Sequence, residues 1–182
     1  MMFNKQKQIC FMMTPKCAST SLKAFLKRLE FVMLTHSTFK VAYHPKYKDA
    51  VKLYSNLANY KKYGVFRDPL DRFISGINFT QKNLETKLSY DEFVLAYPNI
   101  TVDSFAFEPQ VEWLDVEGIH ILDFKWLAFD MSSIFDVPLT SFPHRNKVER
   151  SSDLTSDMVK EFVRKHYAAD YQFAKNVLGK EY

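Results

Sequence analysis

Glycine is scarce in this chain: only four of the 182 residues are glycine, and none lies in the polar loop from Thr14 to Leu22. The Walker A motif, G-x-x-x-x-G-K-[ST], requires two glycines with lysine directly after the second. Without them, this loop lacks the tight backbone nest that holds phosphates in P-loop kinases. A Walker A site is therefore excluded here.

Cysteine is also scarce. Cys10 and Cys17 lie on and just after one predicted strand, where extended backbone holds them too far apart for a disulfide. Free thiols fit a reducing compartment. No stretch approaches the ~20 apolar residues of a membrane span, and Met1 to Gln8 lack the apolar segment of a signal peptide. We therefore expect a soluble, cytoplasmic protein.

Metal-ligand patterns are missing too. The chain contains no H-x-x-x-H, no C-x-x-C and no group of carboxylates, so we expect no metal cofactor. The net charge of +4 comes without a polybasic run. Such a mild excess fits an anionic small ligand better than a nucleic acid. We expect small-molecule partners, no nucleic acid and no membrane, while the oligomeric state stays open.

Strand and helix patterns alternate along the chain. Short apolar runs at Ile9 to Met13, Tyr63 to Phe66 and Ile119 to Phe124 are typical of buried strands. A chain of 182 residues suffices for one sizeable core. We predict one α/β domain over residues 1–182, with three layers: a central, mostly parallel sheet flanked by helices. Predicted helices begin near Ser19 or Thr20 and cover Tyr47 to Leu57, Pro69 to Phe79, Ser89 to Tyr97, Phe105 to Asp115, Trp126 to Phe135 and Thr155 to Leu178.

The loop after the first strand has the residue types of an anion site. Lys16 supplies a positive charge, and hydroxyls follow at Ser19, Thr20 and Ser21. A helix N-terminus presents unpaired N–H groups and the positive end of the helix dipole, so a phosphate is stabilised there. Ser19 or Thr20 is the predicted N-cap. Residue types alone favour a phosphate site and an ordinary capped helix about equally.

A second polar turn follows the second strand. Asp68 is a predicted N-cap and Pro69 suits the first helical position. Arg67 precedes them and Ser75 lies on the helix, so both side chains could bind one phosphate. Taken alone, an Arg67 held by the capping Asp68 is the simpler interpretation. Two anion sites in one chain indicate a ligand that carries phosphate at both ends.

These two segments, in this order, resemble the nucleotide-binding loops of the sulfotransferases that use 3′-phosphoadenosine 5′-phosphosulfate (PAPS). The family patterns are P-K-x-x-S-T-S-L for the 5′-phosphosulfate and R-[DN]-P-x-x-R-x-x-S for the 3′-phosphate. The resemblance is greatest to the carbohydrate branch. The matching loops are Pro15 to Leu22, with Cys17 and Ala18 at the two variable positions, and Arg67 to Ser75, with Asp68, Pro69 and Arg72 in place. Ala18 stands where relatives often have glycine.

The resemblance implies a P-loop-like sulfotransferase fold and transfer of the PAPS sulfuryl group to a hydroxyl acceptor, a glycan or other small molecule. The product is then 3′,5′-adenosine diphosphate, and the family works without a metal. Lys16 would relieve charge on the leaving phosphate. Relatives carry a base, His or Glu, between the two loops, which implies His44, with His36 as the alternative. Asn146 and Lys147 would close over the nucleotide.

Weaker similarities extend along most of the chain, through Gln110 to Leu114 (Q-V-E-W-L) and Tyr167 to Phe173 (Y-x-x-D-Y-x-F). Two other functions stay open. Asp123 ends a strand in the manner of a Mg²⁺-organising aspartate, which would suit a P-loop-type nucleotide kinase or NTPase. Alternatively, the chain is a nucleotide- or glycan-binding module that has lost turnover.

Overall fold

The computed structural model describes residues 1–37, 39, 44–84, 87–97, 104–143 and 155–182. The chain forms two compact units, each with its own apolar core. The first unit comprises Met1–Phe66 and Gln110–Lys147, and the second comprises Arg67–Pro109 and Val148–Tyr182. Asn146 and Lys147, both expected at the nucleotide, lie outside the described residues.

A mixed five-stranded sheet forms the centre of the first unit, in the order β3-β1-β2-β4-β5. Strands β2, β4 and β5 are parallel, whereas β1 is antiparallel to both β2 and β3. The α/β fold class is confirmed. The N-terminal strand was not predicted, because three residues are too few to show a two-residue period. The strands are β1 (Met2–Asn4), β2 (Ile9–Met12), β3 (Val32–Met33), β4 (Lys61–Phe66) and β5 (Ile119–Asp123).

Helices of the first unit pack on the sheet. Its main core joins strand residues such as Phe11 and Val65 to helix residues such as Phe25 and Met131. On β4, Gly64 lies so close to Leu114 that an added Cβ would stand 2.4 Å from Leu114 Cδ2. The helices are α1 (Ser19–Arg28), α2 (Tyr47–Leu53), α5 (Val111–Leu114) and α6 (Leu127–Phe135).

Helices α3 (Pro69–Leu84), α4 (Tyr90–Ala96), α7 (Asp157–His166) and α8 (Ala168–Leu178) belong to the second unit. The predicted starts of α3 and α4 are confirmed. Asp68 Oδ1 accepts the N–H of Asp71 at 2.7 Å. Ser89 and Glu92 form the expected capping box, in which each side chain accepts the other residue's backbone N–H. Local sequence sets these boundaries because the partners lie three residues apart.

The core of the second unit explains one wrong prediction. A single helix was expected from Thr155 to Leu178, but it is divided at Tyr167, whose φ is −109°. Tyr167 is fully buried, and its hydroxyl donates to the carbonyl of Phe107 at 2.8 Å. Burial of one large side chain thus interrupts a pattern that is periodic in the sequence. The helical hydrogen bonds begin at Ser156, whose Oγ accepts the N–H of Val159.

Two further helix predictions were too long. The segment from Phe105 to Asp115 contains only the end of a 3-10 turn, Ser104–Ala106, and the short α5. Pro109 lies between them, and the residue before a proline is disfavoured in helical conformation. The segment from Tyr47 is α-helical only to Leu53, and a 3-10 helix, Ser55–Asn59, follows.

Candidate functional site

The candidate loops follow the carboxyl ends of two parallel strands, β2 and β4. Because β2, β4 and β5 run in one direction, their carboxyl ends share one edge of the sheet. In open α/β sheets, ligands bind outside this edge. The loop Thr14–Ala18 follows β2 there, and the chain leaves β4 at Phe66, immediately before Arg67.

A tight turn forms the first half of the phosphate loop, which we define as Thr14–Ala18. Its closing hydrogen bond runs from the N–H of Cys17 to the carbonyl of Thr14, at 3.3 Å. Pro15 occupies the second turn position, and Lys16, with φ of 63°, occupies the third. Proline at the second position and positive φ at the third are the marks of a type II turn. The turn therefore forms without glycine, with a lysine in the left-handed region.

Ala18 is the N-cap of α1, and the prediction of Ser19 or Thr20 was wrong. Ala18 has φ of 59° and ψ of 23°, and α1 begins directly after it, at Ser19. The left-handed alanine turns the chain one residue earlier than the hydroxyls suggested. An alanine carries no oxygen for capping, and α1 accordingly has no side-chain cap hydrogen bond. The first N–H groups of a helix have no intrahelical acceptor, so they are suited to an anion.

Charge at this helix start also favours an anion. The first turn of α1 contains no acidic residue. Each of the other seven α-helices in the described part of the chain has at least one. An aspartate or glutamate would compete with a phosphate for the positive end of the helix dipole. The start of α1 thus combines three hydroxyls, a preceding lysine and no competing carboxylate.

Burial separates the loop residues into two groups. Lys16, Ala18 and Ser19 are half-buried and Thr20 is exposed. Cys17 and Ser21 are buried, and the Cys17 thiol donates to Gln110 Oε1 at 3.2 Å. The Cys17 side chain therefore faces the protein interior, and a ligand would meet only its backbone. Both cysteines are free thiols, in agreement with the sequence expectation.

His44 lies beside the phosphate loop. Its Nδ1 is hydrogen-bonded to the carbonyl of Met13, the residue before Thr14. A carbonyl can only accept, so Nδ1 carries the proton, and in the neutral ring the lone pair lies on Nε2. The His44 carbonyl accepts the indole N–H of Trp113 at 2.9 Å. The structure thus brings one predicted base next to the predicted phosphate loop and defines its tautomer.

His36, the alternative base, is half-buried and packs edge-on against Phe39, with ring centroids 5.9 Å apart. Beside His44, Lys46 forms an ion pair with Glu112 at 2.8 Å. That hydrogen bond lowers the pKa of Glu112. Sequence reasoning missed the contributions of Gln110 and Trp113, although the Q-V-E-W-L pattern marked their segment. Their contacts with Cys17 and His44 span 93 and 69 positions, which no local pattern reveals.

The second motif lies in the second unit. Arg67 and Ser75 are both half-buried, at the start and in the middle of the segment that forms α3. Asp68 caps α3, and burial raises the pKa of its carboxyl. Because this carboxylate already accepts an N–H of the first turn, a phosphate here would be bound chiefly by the side chains of Arg67 and Ser75.

Arg72 of the same motif is a core residue. It is fully buried, donates to the carbonyl of Glu108 at 2.8 Å, and stacks over the ring of Tyr167 with its Cζ 5.9 Å from the centroid. Burial raises the pKa of the Tyr167 hydroxyl. This contact joins the P-x-x-R part of the second motif to Tyr167, the first residue of the Y-x-x-D-Y segment.

Asp123 has a local role. Its Oδ1 accepts the N–H of Lys125 at 2.8 Å and caps the 3-10 helix Phe124–Trp126. No cluster of three or more metal-ligating side chains occurs within the described residues. In the same part of the chain, no helix has the length and apolar character needed to cross a membrane.

The described residues form an α/β protein in which a lysine-containing loop joins a parallel strand to a helix that has no side-chain cap. Comparison with known families identifies the class. The model of the sulfotransferase family matches residues 1–137, which include the phosphate loop, His44, Arg67 and Ser75. This protein belongs to the sulfotransferase family.

A solved structure agrees on the fold. The crystal structure of a sulfotransferase from Alicyclobacillus acidocaldarius is similar, with a TM-score of 0.55 and 14% sequence identity. The similarity covers 94% of this chain and 96% of the other. At such low identity the likeness concerns the fold alone. No curated protein sequence matches the chain.

Proposed function

We propose that this protein transfers the sulfuryl group of PAPS to a hydroxyl of an acceptor, most simply a carbohydrate. The observation that carries the proposal is the position of His44, whose ring is hydrogen-bonded to the carbonyl of Met13, the residue directly before the phosphate loop. A base with a defined tautomer beside an anion site is what hydroxyl activation next to a bound phosphosulfate requires.

The residues present fit a phosphosulfate group. The start of α1 offers N–H groups that its own side chains do not cap, and its first turn carries no negative charge. Thr14 is 1% exposed, and its Oγ1 has no hydrogen-bond partner among the described residues. A buried hydroxyl without a partner is costly, and an oxygen-rich ligand would satisfy it.

Each predicted residue has a proposed role. Lys16 and the hydroxyls of Ser19, Thr20 and Ser21 would bind the phosphosulfate, together with the backbone of Cys17 and Ala18. The family resemblance assigns the 3′-phosphate to Arg67 and Ser75, and contacts with the nucleotide to Asn146 and Lys147.

The chemistry balances as a single displacement. The acceptor oxygen forms a bond to sulfur, while the bond between sulfur and the bridging phosphate oxygen breaks and 3′,5′-adenosine diphosphate leaves. The acceptor proton passes to Nε2 of His44, and the Lys16 ammonium stabilises the charge that develops on the phosphate.

Ligand-dependent melting tests the donor. At a hundred times its dissociation constant, 3′,5′-adenosine diphosphate should add about 2.7 kcal/mol of stability, which raises the melting temperature by about 5–10 °C for a chain of this size. ATP with Mg²⁺ should give a much smaller shift. Absence of a shift with the bisphosphate would refute the donor, and Mg²⁺-dependent phosphoryl transfer from ATP would favour a kinase.

Substitution of His44 tests catalysis. His44→Ala should reduce the sulfuryl transfer rate by roughly 10²–10⁴-fold, the usual contribution of a general base, while 3′,5′-adenosine diphosphate still binds. His36→Ala is the matched control and should keep most of the rate. A binding module would show no rate to lose, and a larger loss in His36→Ala would exchange the two assignments. Glycans and simple alcohols supplied as acceptors would then separate the acceptor classes.

A further inference from the structure

One short segment, Gln110–Leu114, contacts both the phosphate loop, at Cys17, and the backbone of His44. The carbonyl of Gln110 accepts the N–H groups of Trp113 and Leu114, at 2.9 and 3.1 Å, and so starts α5. Residues three and four positions apart lie on one helix face. All three side chains are accordingly buried, with exposures of 0%, 1% and 0%. We call this face the α5 brace.

The first contact of the α5 brace is with the phosphate loop. Gln110 Oε1 accepts the thiol of Cys17, which lies between the left-handed residues Lys16 and Ala18. Left-handed conformations of residues other than glycine persist only where the surroundings hold them. The buried Cys17 to Gln110 hydrogen bond anchors the loop to the brace between these two residues.

The second contact is with the segment that carries the base. The indole N–H of Trp113 donates to the His44 carbonyl at 2.9 Å. Lys46 lies over the Trp113 ring, with its Nζ 5.3 Å from the centroid, and pairs with Glu112 at 2.8 Å. The backbone of His44 is thus held from α5, while its ring is held by the carbonyl of Met13.

We propose that Gln110 and Trp113 are positioning residues that hold the phosphate loop and His44 in one catalytic geometry. This inference rests on the proposed function, because it concerns the same site. Neither residue touches the reacting atoms. Each acts through a neighbour: Gln110 through Cys17 on the donor side, and Trp113 through His44 on the acceptor side. Catalysis depends steeply on such geometry, since a misplacement of about 1 Å can reduce a rate 10²-fold.

The two halves of the α5 brace predict different kinetic effects. Trp113→Phe keeps an aromatic side chain but replaces the indole with a smaller phenyl ring and removes the N–H. We expect kcat to fall about tenfold while the affinity for 3′,5′-adenosine diphosphate stays unchanged. Trp126→Phe is the matched control, because Trp126 is the other tryptophan, lies in the same unit and is 56% exposed. Its kcat and affinity should equal those of the wild type.

On the donor side, Cys17→Ala removes the thiol and should weaken binding of 3′,5′-adenosine diphosphate about tenfold. Cys17→Ser keeps a hydroxyl donor for Gln110 and should restore most of that affinity. Gln110→Leu in the Cys17→Ala background replaces the buried polar pair with apolar groups, so stability should recover while the affinity stays low. A purely structural role would instead lower the melting temperature and leave kcat and affinity of the folded protein unchanged, which would overturn the proposal.

A spectroscopic measurement separates this inference from the proposed function. The ¹⁵N resonances of the His44 ring report its tautomer without any turnover. In the wild type they should show a proton on Nδ1, and in Trp113→Phe the two tautomers should mix. If the wild type does not bind the bisphosphate, the donor assignment fails. The spectrum still tests whether Trp113 positions His44, because it needs no bound nucleotide. An unchanged spectrum in Trp113→Phe would refute the positioning role of Trp113. If that variant does not fold, Glu112→Gln replaces it, since this substitution removes the ion pair with Lys46 at the surface of the same segment. The same criteria then apply to Glu112→Gln.

Discussion

The left-handed Ala18 allows a test in which alanine is replaced by glycine at two positions, one near the start of α1 and one inside it, with different expected effects on the free energy of unfolding. Ala18 has φ of 59° as the N-cap of α1, whereas Ala24 lies within α1. We compare Ala18→Gly with Ala24→Gly. Both residues belong to the first unit, so both variants report on the same core.

The expected magnitudes follow from the backbone. A left-handed residue with a Cβ costs about 1–2 kcal/mol, which glycine removes, while the greater freedom of glycine in the unfolded chain costs about 0.4–1 kcal/mol. Ala18→Gly should therefore leave the free energy of unfolding unchanged or raise it by about 1 kcal/mol. Ala24→Gly removes no left-handed strain, so it should lower stability by about 1 kcal/mol, as glycine does inside helices.

Thermal and urea unfolding of the two variants and the wild type measures this difference. About 1–2 kcal/mol between the variants corresponds to a separation of about 2–8 °C in melting temperature. The order matters more than the size: Ala18→Gly should be the more stable variant. If it were as destabilised as Ala24→Gly, Ala18 would not be left-handed, and the account of the phosphate loop would be wrong.

Three further substitutions test other contacts by urea unfolding. Gly64→Ala should lower stability by about 1–3 kcal/mol, because its methyl would overlap a leucine of α5, and transfer activity should fall with it. Arg72→Met should cost about 2–3 kcal/mol through loss of its buried hydrogen bond, whereas the exposed Arg164→Met should change little. Ser89→Ala should destabilise at neutral pH, and the loss should shrink as the pH falls through the pKa of Glu92, which the Ser89 hydrogen bonds lower. Equal effects of the two arginine substitutions, or a pH-independent effect of the serine one, would contradict these contacts.

Sequence patterns predicted the elements that depend on near neighbours. The strands around Phe11, Val65 and Leu122 follow from short apolar runs, and the α3 and α4 starts follow from caps whose partners lie three residues away. The predictions failed where a contact between residues distant in sequence determines the local structure. Burial of Tyr167 interrupts the predicted long helix, although the hydrophobic period continues through it.

The candidate site shows the same division. Lys16, the following hydroxyls, Arg67 and Ser75 are recognisable because their order resembles a known family. The left-handed Ala18 is not recognisable, because alanine strongly favours helical or extended backbone and adopts this conformation only where the fold imposes it.

The amino-acid sequence by itself determined the residue types of an anion site, the α/β order of elements and a short list of possible bases. Only the tertiary structure decided which of these residues lie together and which are buried. It placed His44 against the Met13 carbonyl, which defines the tautomer of the ring. It buried the Arg72 side chain in the core of the second unit. It also joined Cys17 to Gln110 across 93 positions. Residue types follow from the chain, but tautomer, burial and distant hydrogen bonds exist only when folding brings separate segments into contact.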